Sequence, residues 1–465
     1  MIAADRTEAI DNLVYDWLAE TGAPGASLII TDESSEQYAA SFGARDLDSN
    51  TPTTPDTLYG IASVTKSFTT LAVLRQVENG SMELDEPITT YTEVGFEGAS
   101  EITVEQLLTH SSGLPNLGTS ETLLARLADL GETGIPLGDR EDLLHFVGGA
   151  GNERDVSSLG RFQYNNTAYT LLSHAVEATS GTDFERYVEG EILDPLGMER
   201  STFDAETFEA DSDHATPHRS IEDGFEATRF PARELSKAPG GLLSSPRELG
   251  RYLRFNLRGG ELDGTRLVDE KLLAQAHEEH IEPLPRYGDG YGYGWMRREV
   301  AETLVIGHGG SLLTSSSAIG FLPEEELGVA LCCASQPDIH PTVILEGIVA
   351  VLQGVSPERA VPELGYRDRI EDLTGEYESY RGIVSATITE EGGYLSVDIA
   401  MGPLEEEYIL VPEDPALDPE ASGHSATDSW RFQAPQSGRP MPVEFVETED
   451  GVDLFFDRYR LHRTG

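Results

Sequence analysis

Apolar residues recur at Val64, Phe68, Leu71, Leu74 and Val77, the spacing of a helix with one buried face, and Asn79-Gly80 supplies its stop. Ile10, Leu13, Val14, Trp17 and Leu18 place the same pattern in residues 2–20. After Pro24-Gly25 the period changes. Residues 26–30 predict a strand and residues 38–43 its hairpin partner. Helices follow over 104–108, 168–179 and 184–193, and through Leu249, Tyr252, Leu253 and Leu257. Strands resume at 291–295 and 303–311, then at the hairpin 317–323 and 327–333, before a closing helix over 343–352. Strands at both ends with helices between them predict one shared sheet. Residues 116–160 read as a helical insertion, and 204–236 as a polar loop.

From about Glu363 the texture becomes short alternating segments separated by turn signals, at 375–377, 385–388, 394–397, 407–411, 430–432, 443–446 and 452–456. That spacing predicts an antiparallel barrel of about eight strands. The expected fold class is therefore α+β: an antiparallel sheet flanked by helices, an all-helical subdomain, then a small all-β antiparallel barrel. Residues 1–358 and 359–465 are the expected domains.

Charge is the compositional outlier. The 465 residues hold 83 acidic against 32 basic side chains, a net charge of −51. Nucleic acids and anionic membranes both need a positive surface, so neither is expected as a partner. Only Lys66, Lys237 and Lys271 are lysines. Spread acidity with scarce lysine predicts a halophilic protein from a salt-rich cytoplasm, where salt screens the repulsion. Cys332 and Cys333 are adjacent on a predicted strand, point to opposite faces and predict no disulfide. No apolar run is long enough to span a membrane. The expected location is cytoplasmic.

Ser63 stands near the start of the first patterned helix and Lys66 three residues on, which stacks their side chains. Ser-x-x-Lys alone also occurs on solvated helices. Here the downstream face is apolar, and a chain that avoids lysine keeps one where arginine, which does not deprotonate, could not act as a base. Burial would disfavour the ammonium and free the amine to activate the serine.

Five segments in order carry a family resemblance: residues 52–85 around Ser63-Val64-Thr65-Lys66, Leu107 to Pro115, Tyr164-Asn165-Asn166 on to Gly197, Pro239 to Leu257, and Tyr291 to Trp295 on through Gly307-His308-Gly309-Gly310. The chain resembles the serine β-lactamase and penicillin-binding-protein superfamily, in its class C, D-peptidase and esterase branch. The C-terminal part is similar to lipocalin-like barrels attached to some of those hydrolases. The resemblance implies a serine hydrolase, metal-free and cofactor-free, that cleaves a small ester or a peptide or D-amino-acid amide. By the same resemblance Ser63 is the nucleophile, Lys66 and Tyr164 are the base, and Asn166 binds substrate and helps hold Lys66. His308 stands where many relatives have lysine, so it is expected to anchor a substrate carboxylate with a charge that varies near neutral pH. Gly309 and Gly310 are expected to let substrate lie on the strand, and the backbone N–H groups of Ser63 and Ser311 to form the oxyanion hole. Asn165 reads as neutral and His110 as bonding within its own turn. His277-Glu278-Glu279-His280 lacks the His-Glu-x-x-His spacing, and no metal is expected. Other readings are a non-catalytic penicillin-binding-like receptor, a β-lactam hydrolase, and an apolar-ligand carrier. The last ranks lowest because few large apolar residues are read as facing either side of the barrel strands. A homo-oligomer is a possible assembly.

Overall fold

The computed structural model describes residues 2–114, 116, 140–150, 160–221, 224–228, 237–283, 288–391, 393–401, 404–413, 429–436, 439–448 and 451–464. Contacts divide the chain into two units, Met1–Leu345 and Glu346–Gly465.

In the first unit, α1 (Ala4–Thr21) buries Ile10, Val14, Trp17 and Leu18, and ends at Gly22 in the left-handed region. It leads into β1 (Gly25–Asp32), β2 (Glu36–Asp46) and β3 (Thr51–Pro52). The central helices are α2 (Thr65–Glu78), α3 (Asn166–Ser180) and α4 (Pro246–Leu257). Then come β4 (Gly290–Tyr291), β5 (Met296–Val300), β6 (Thr303–Leu312), β7 (Ser315–Leu322) and β8 (Leu327–Cys333), and α5 (Pro341–Gln353). The sheet order is β4-β5-β6-β7-β8-β1-β2-β3. The expected sharing is present: β1 pairs antiparallel with β8, from Ala26 opposite Cys333 to Asp32 opposite Leu327. Cys332 and Cys333 are both free and buried.

α2 departs from the pattern that predicted it. Its residues from Thr65 to Leu74 are all buried, on every face. It runs through the core, so its hydroxyls need internal acceptors. Ser67 donates to the Val64 carbonyl at 2.8 Å and Thr69 to the Ala238 carbonyl at 2.8 Å. Phe68 stacks on Tyr252 of α4 at 3.9 Å, and Tyr252 stacks on Trp295 at 6.0 Å. α4 seats closely on the sheet: a Cβ on Gly250 would lie 2.9 Å from Ile29 of β1.

Two stretches differ from expectation. Within 204–236, Asp204 caps a helix over Ala205–Ala210, and strands His218–Ile221 and Gly224–Ala227 form a hairpin. Their short, charged segments gave no apolar period to detect. Within 116–160, the helix Arg140–Ala150 is present. The rest of that expected insertion up to residue 159, Asn116 excepted, lies outside the described residues, as does Pro115.

In the second unit, Pro362–Leu373 is a helix (α6), where alternation from Glu363 had been expected. It is followed by a closed barrel of eight strands, β9 to β16, over Gly375–Glu378, Val384–Glu391, Tyr394–Met401, Leu404–Pro412, Ser429–Gln436, Arg439–Thr448, Gly451–Phe456 and Tyr459–Arg463. The last strand closes the barrel, with Tyr377 opposite Arg463. The barrel is not poor in large apolar residues. Tyr377, Trp430, Phe432, Phe445, Leu454 and Phe456 fill its core. They fall at alternate positions of short strands, so no long apolar run marks them.

Tyr252→Ala removes the middle ring of the stack on α2. We expect it to cost about 3–5 kcal/mol of unfolding free energy, the range for deleting a buried aromatic. Denaturant titration of the purified variant measures it.

Candidate active site

Ser63 sits in a 3-10 turn, Ala62–Val64, that feeds directly into α2. The turn is held from three sides. Gly60 pairs with Leu243, and the Ile61 N–H donates to the Leu242 carbonyl at 3.1 Å. Ser315 and Ser317 of β7 donate to the carbonyls of Gly60 and Ile61 at 2.9 and 2.7 Å. Thr65 donates to the Ala62 carbonyl at 2.6 Å and accepts from the Leu242 N–H at 3.1 Å. So anchored, Ala62 adopts φ +51°, a left-handed conformation rare outside glycine. The elbow leaves Ser63 partly exposed beside a buried residue on each side.

Lys66 has 0% exposure. Its Nζ lies 3.1 Å from Ser63 Oγ and 2.7 Å from the Pro239 carbonyl oxygen. The Tyr164 ring centre is 4.7 Å from the same Nζ, and that of Tyr169 5.5 Å. The other lysines do different work: Lys237 pairs with Glu185, and Lys271 opens a separate helix over Glu270–His277.

Tyr164 precedes α3 by two residues. Asn165 caps that helix, accepting from the Ala168 N–H at 3.0 Å and donating to the Leu114 carbonyl at 2.9 Å. Asn165 is therefore not neutral, since it fixes where Tyr164 leaves the helix. Asn166 is the first residue of α3 and is partly exposed.

The His110 side chain does not bond within its own turn. The residue holds φ +57°, its Nδ1 accepts from the Asn165 N–H at 3.1 Å, and its Nε2 lies 3.1 Å from the Tyr291 hydroxyl. Its ring lies 4.5 Å from that of Tyr164. The Tyr291 hydroxyl is in turn 3.3 Å from His308 Nε2, and His308 Nδ1 is 2.6 Å from the Gly309 carbonyl oxygen. Burial, helped by Lys66, pushes His308 down to about 3 and His110 well below the usual histidine range. The expectation of a charge varying near neutrality at His308 is thus corrected, because a fully enclosed imidazole beside a lysine stays neutral.

Gly309 and Gly310 also need a different account. A Cβ on Gly310 would stand 2.2 Å from the Ile61 carbonyl oxygen, and one on Gly309 2.6 Å from Thr342 Oγ1. Protein atoms already fill both places, so these glycines let β6 press against the serine turn and α5. On its other edge β6 is paired with β5 only as far as Gly307 opposite Met296. The stretch from His308 to Ser311 has no strand on that edge among the described residues. Ser311 is exposed and pairs with Ser316 on the far side.

Tyr291, His110, Asn165 and the Pro239 carbonyl carry geometry to which the sequence reading gave no site role. Tyr291 and Pro239 lay inside recognised segments, but a hydrogen-bond chain and a backbone acceptor have no residue pattern.

Four histidines with low values share one consequence. His110, His174, His277 and His308 stay neutral in the fold well below pH 6.5, whereas the unfolded chain protonates them near it. The unfolded state then binds more protons, so stability is fully present above pH 6.5 and falls as pH drops from there towards 3. Denaturant midpoints measured across pH 7 to 4 should fall steadily, and His277→Gln should make the decline shallower.

The family model described as Beta-lactamase matches residues 10–350, and the one described as Pab87 octamerisation domain matches residues 357–462. The octameric penicillin-binding protein homologue from Pyrococcus abyssi is 31% identical, with a TM-score of 0.88 over 98% of this chain and 99% of that chain. A D-stereospecific amidohydrolase from Streptomyces sp. shares the fold of the first unit at 23% identity and TM-score 0.63, over 75% of this chain and 99% of that one. Among curated relatives, Protein flp of Staphylococcus aureus (strain MW2) is 25% identical over 350 residues, 73% of this chain. The chain spans 65% of that relative's length. Esterase EstB of Burkholderia gladioli is 30% identical over 213 residues, 42% of this chain and 51% of its own. The match of that model over residues 10–350, most of the chain, makes the protein a member of the Beta-lactamase family.

Proposed function

We propose that the protein is a serine hydrolase that forms an acyl-enzyme on Ser63 and cleaves a small ester or a peptide or D-amino-acid amide. The observation that carries this is the Lys66 amine, without exposed surface, 3.1 Å from Ser63 Oγ. A base this close needs no rearrangement to take the serine proton. Uncharged Lys66 accepts that proton as Oγ bonds to the substrate carbonyl carbon. The carbonyl oxygen takes up the negative charge and faces the backbone N–H groups of Ser63 and Ser311. As the carbon–leaving-group bond breaks, Tyr164 gives its proton to the departing oxygen or nitrogen and takes one from the Lys66 ammonium beside it, so that both groups are reset. Water then repeats the sequence on the acyl-enzyme and frees Ser63. Asn166 and the unpaired edge from His308 to Ser311 hold the substrate. Each proton-transfer group is worth about 10²–10⁴-fold, and one oxyanion donor about 10²–10³-fold. Esterase EstB favours an ester among the substrate classes.

Ser63→Ala should abolish labelling by a fluorophosphonate probe and turnover of p-nitrophenyl esters, and leave the thermal midpoint close to that of the parent. Equal labelling of parent and variant would remove Ser63 as the nucleophile.

We also propose that the protein works as a homo-oligomer in a salt-rich cytoplasm. Two family-level likenesses support assembly: the Pab87 octamerisation domain model over residues 357–462 and the octameric Pyrococcus abyssi homologue. No helix among the described residues is long and apolar enough to cross a membrane. On the barrel, Tyr394, Ile409 and Val411 are exposed. Ile409 and Val411 share the outer face of β12, and Tyr394 adjoins Val411 because Leu395 pairs with Leu410. At −51 charges per chain, copies repel one another in dilute buffer. Light scattering should therefore give a larger assembly in molar salt than in dilute buffer, and Ile409→Asp should lower the mass at every salt concentration.

A further inference from the structure

Helix α5 begins against the strand that carries Ser311. His340 stands just before Pro341, the first residue of that helix, and its Nδ1 accepts from the Thr342 N–H at 3.1 Å. A backbone N–H can only donate, so Nδ1 is bare and Nε2 carries the proton. Nε2 lies 3.1 Å from the Gly310 carbonyl oxygen, which can only accept. The Thr342 hydroxyl, 2.9 Å from Nδ1, fits the same arrangement as a donor. Both anchors are backbone groups, so the bond to Gly310 runs one way. The ring reaches the strand because Gly309 has no side chain: a Cβ there would stand 3.0 Å from His340 Cε1. Capping α5 does not by itself call for histidine, since asparagine, aspartate, serine and threonine all cap well. Each of those is too short to span from the Thr342 N–H to β6 as well.

The Gly310 carbonyl and the Ser311 N–H belong to one planar trans peptide and point opposite ways. A donor on the carbonyl therefore acts on that N–H in two ways. It holds the peptide plane at a glycine, where the backbone is otherwise freest to turn. It also draws charge through the amide, which strengthens the N–H as a donor. We propose that His340 is a positioning residue that sets the Gly310–Ser311 peptide so that the Ser311 N–H meets the oxyanion formed on the substrate. That role rests on the acyl-transfer reading of Ser63, and His340 plays it through the peptide rather than on the reacting atoms.

Asparagine puts an amide oxygen where Nδ1 stands, and glutamine puts an amide N–H where Nε2 stands, so two variants divide the two bonds. His340→Asn keeps the cap and loses Gly310. Its kcat for p-nitrophenyl acetate should fall roughly tenfold, the worth of one hydrogen bond felt only in the transition state, with KM within about twofold. Its thermal midpoint should stay near that of the parent. His340→Gln loses the cap and keeps Gly310, so its midpoint should fall while kcat stays within about twofold of the parent. An arylboronic acid, once bonded to Ser63 Oγ, turns a boronate oxygen towards the same N–H. It should bind the asparagine variant roughly tenfold more weakly than it binds the parent or the glutamine variant. The opposite ranking, glutamine slow and asparagine at the parental rate, makes His340 a helix cap alone and overturns the proposal. Each variant also tests it singly: a folded asparagine protein at parental kcat overturns it, and so does a folded glutamine protein slowed as much as asparagine was expected to be. Failure of the parent to label at Ser63 with a fluorophosphonate probe instead overturns the acyl-transfer reading, and with it the proposal.

Discussion

A lysine amine with no access to water must find every hydrogen-bond partner inside the protein, and the first unit is arranged around meeting that demand for Lys66. Ser63 Oγ and the Pro239 carbonyl oxygen stand within 3.1 Å of Nζ, and the faces of Tyr164 and Tyr169 close over it. The partners come from three parts of the chain, the serine turn, the start of α3 and the segment at Pro239. Gly240 packs against the serine turn at ordinary van der Waals distance, a Cβ there falling 3.5 Å from Ala62. Gly294, with φ +71°, brings the stretch before β5 against the Lys66 carbonyl, where a Cβ would lie 2.9 Å away. Gly294 is therefore where backbone must approach α2 more closely than a side chain allows.

The same burial governs the polar groups around the lysine. Burial disfavours the charged form of an imidazole, and both histidines beside the lysine stay neutral. A neutral imidazole has one donor and one acceptor, and the two rings stand on either side of the Tyr291 hydroxyl in one hydrogen-bonded chain. Its ends are backbone groups, the Asn165 N–H and the Gly309 carbonyl, which cannot change role. Burial and the Gly309 carbonyl at Nδ1 thus favour the same neutral state of His308.

The sequence displayed what depends on periodicity and motif. Val64 to Val77 announced α2, and 26–30 with 327–333 announced two strands that do pair in one sheet. Alternation after residue 375 announced the barrel. What stayed hidden depends on tertiary approach. The left-handed Ala62 is an ordinary alanine in the sequence. The Pro239 carbonyl belongs to the backbone, and no side chain advertises it. His110 looked like a turn residue because its partners, Asn165 and Tyr291, lie 55 and 181 residues away. Gly309 and Gly310 were recognised, but their missing side chains make room for Thr342 and Ile61. The apolar core of the barrel was underestimated because a closed sheet buries one residue in two, so its core never forms a run.

Surface and site treat charge on different length scales. A net charge of −51 disfavours anions everywhere around the molecule, but that field reaches about 10 Å at 0.1 M salt and about 3 Å at 1 M. In a salt-rich medium it cannot discriminate among substrates. The enclosed chain from His110 to His308 is shielded from bulk ions by the packing that keeps it neutral, so its influence does not weaken with salt. Selection against a charged substrate end, if the surface supplied it, would vanish as salt rises. Supplied by enclosed neutral groups instead, it would be the same at every ionic strength.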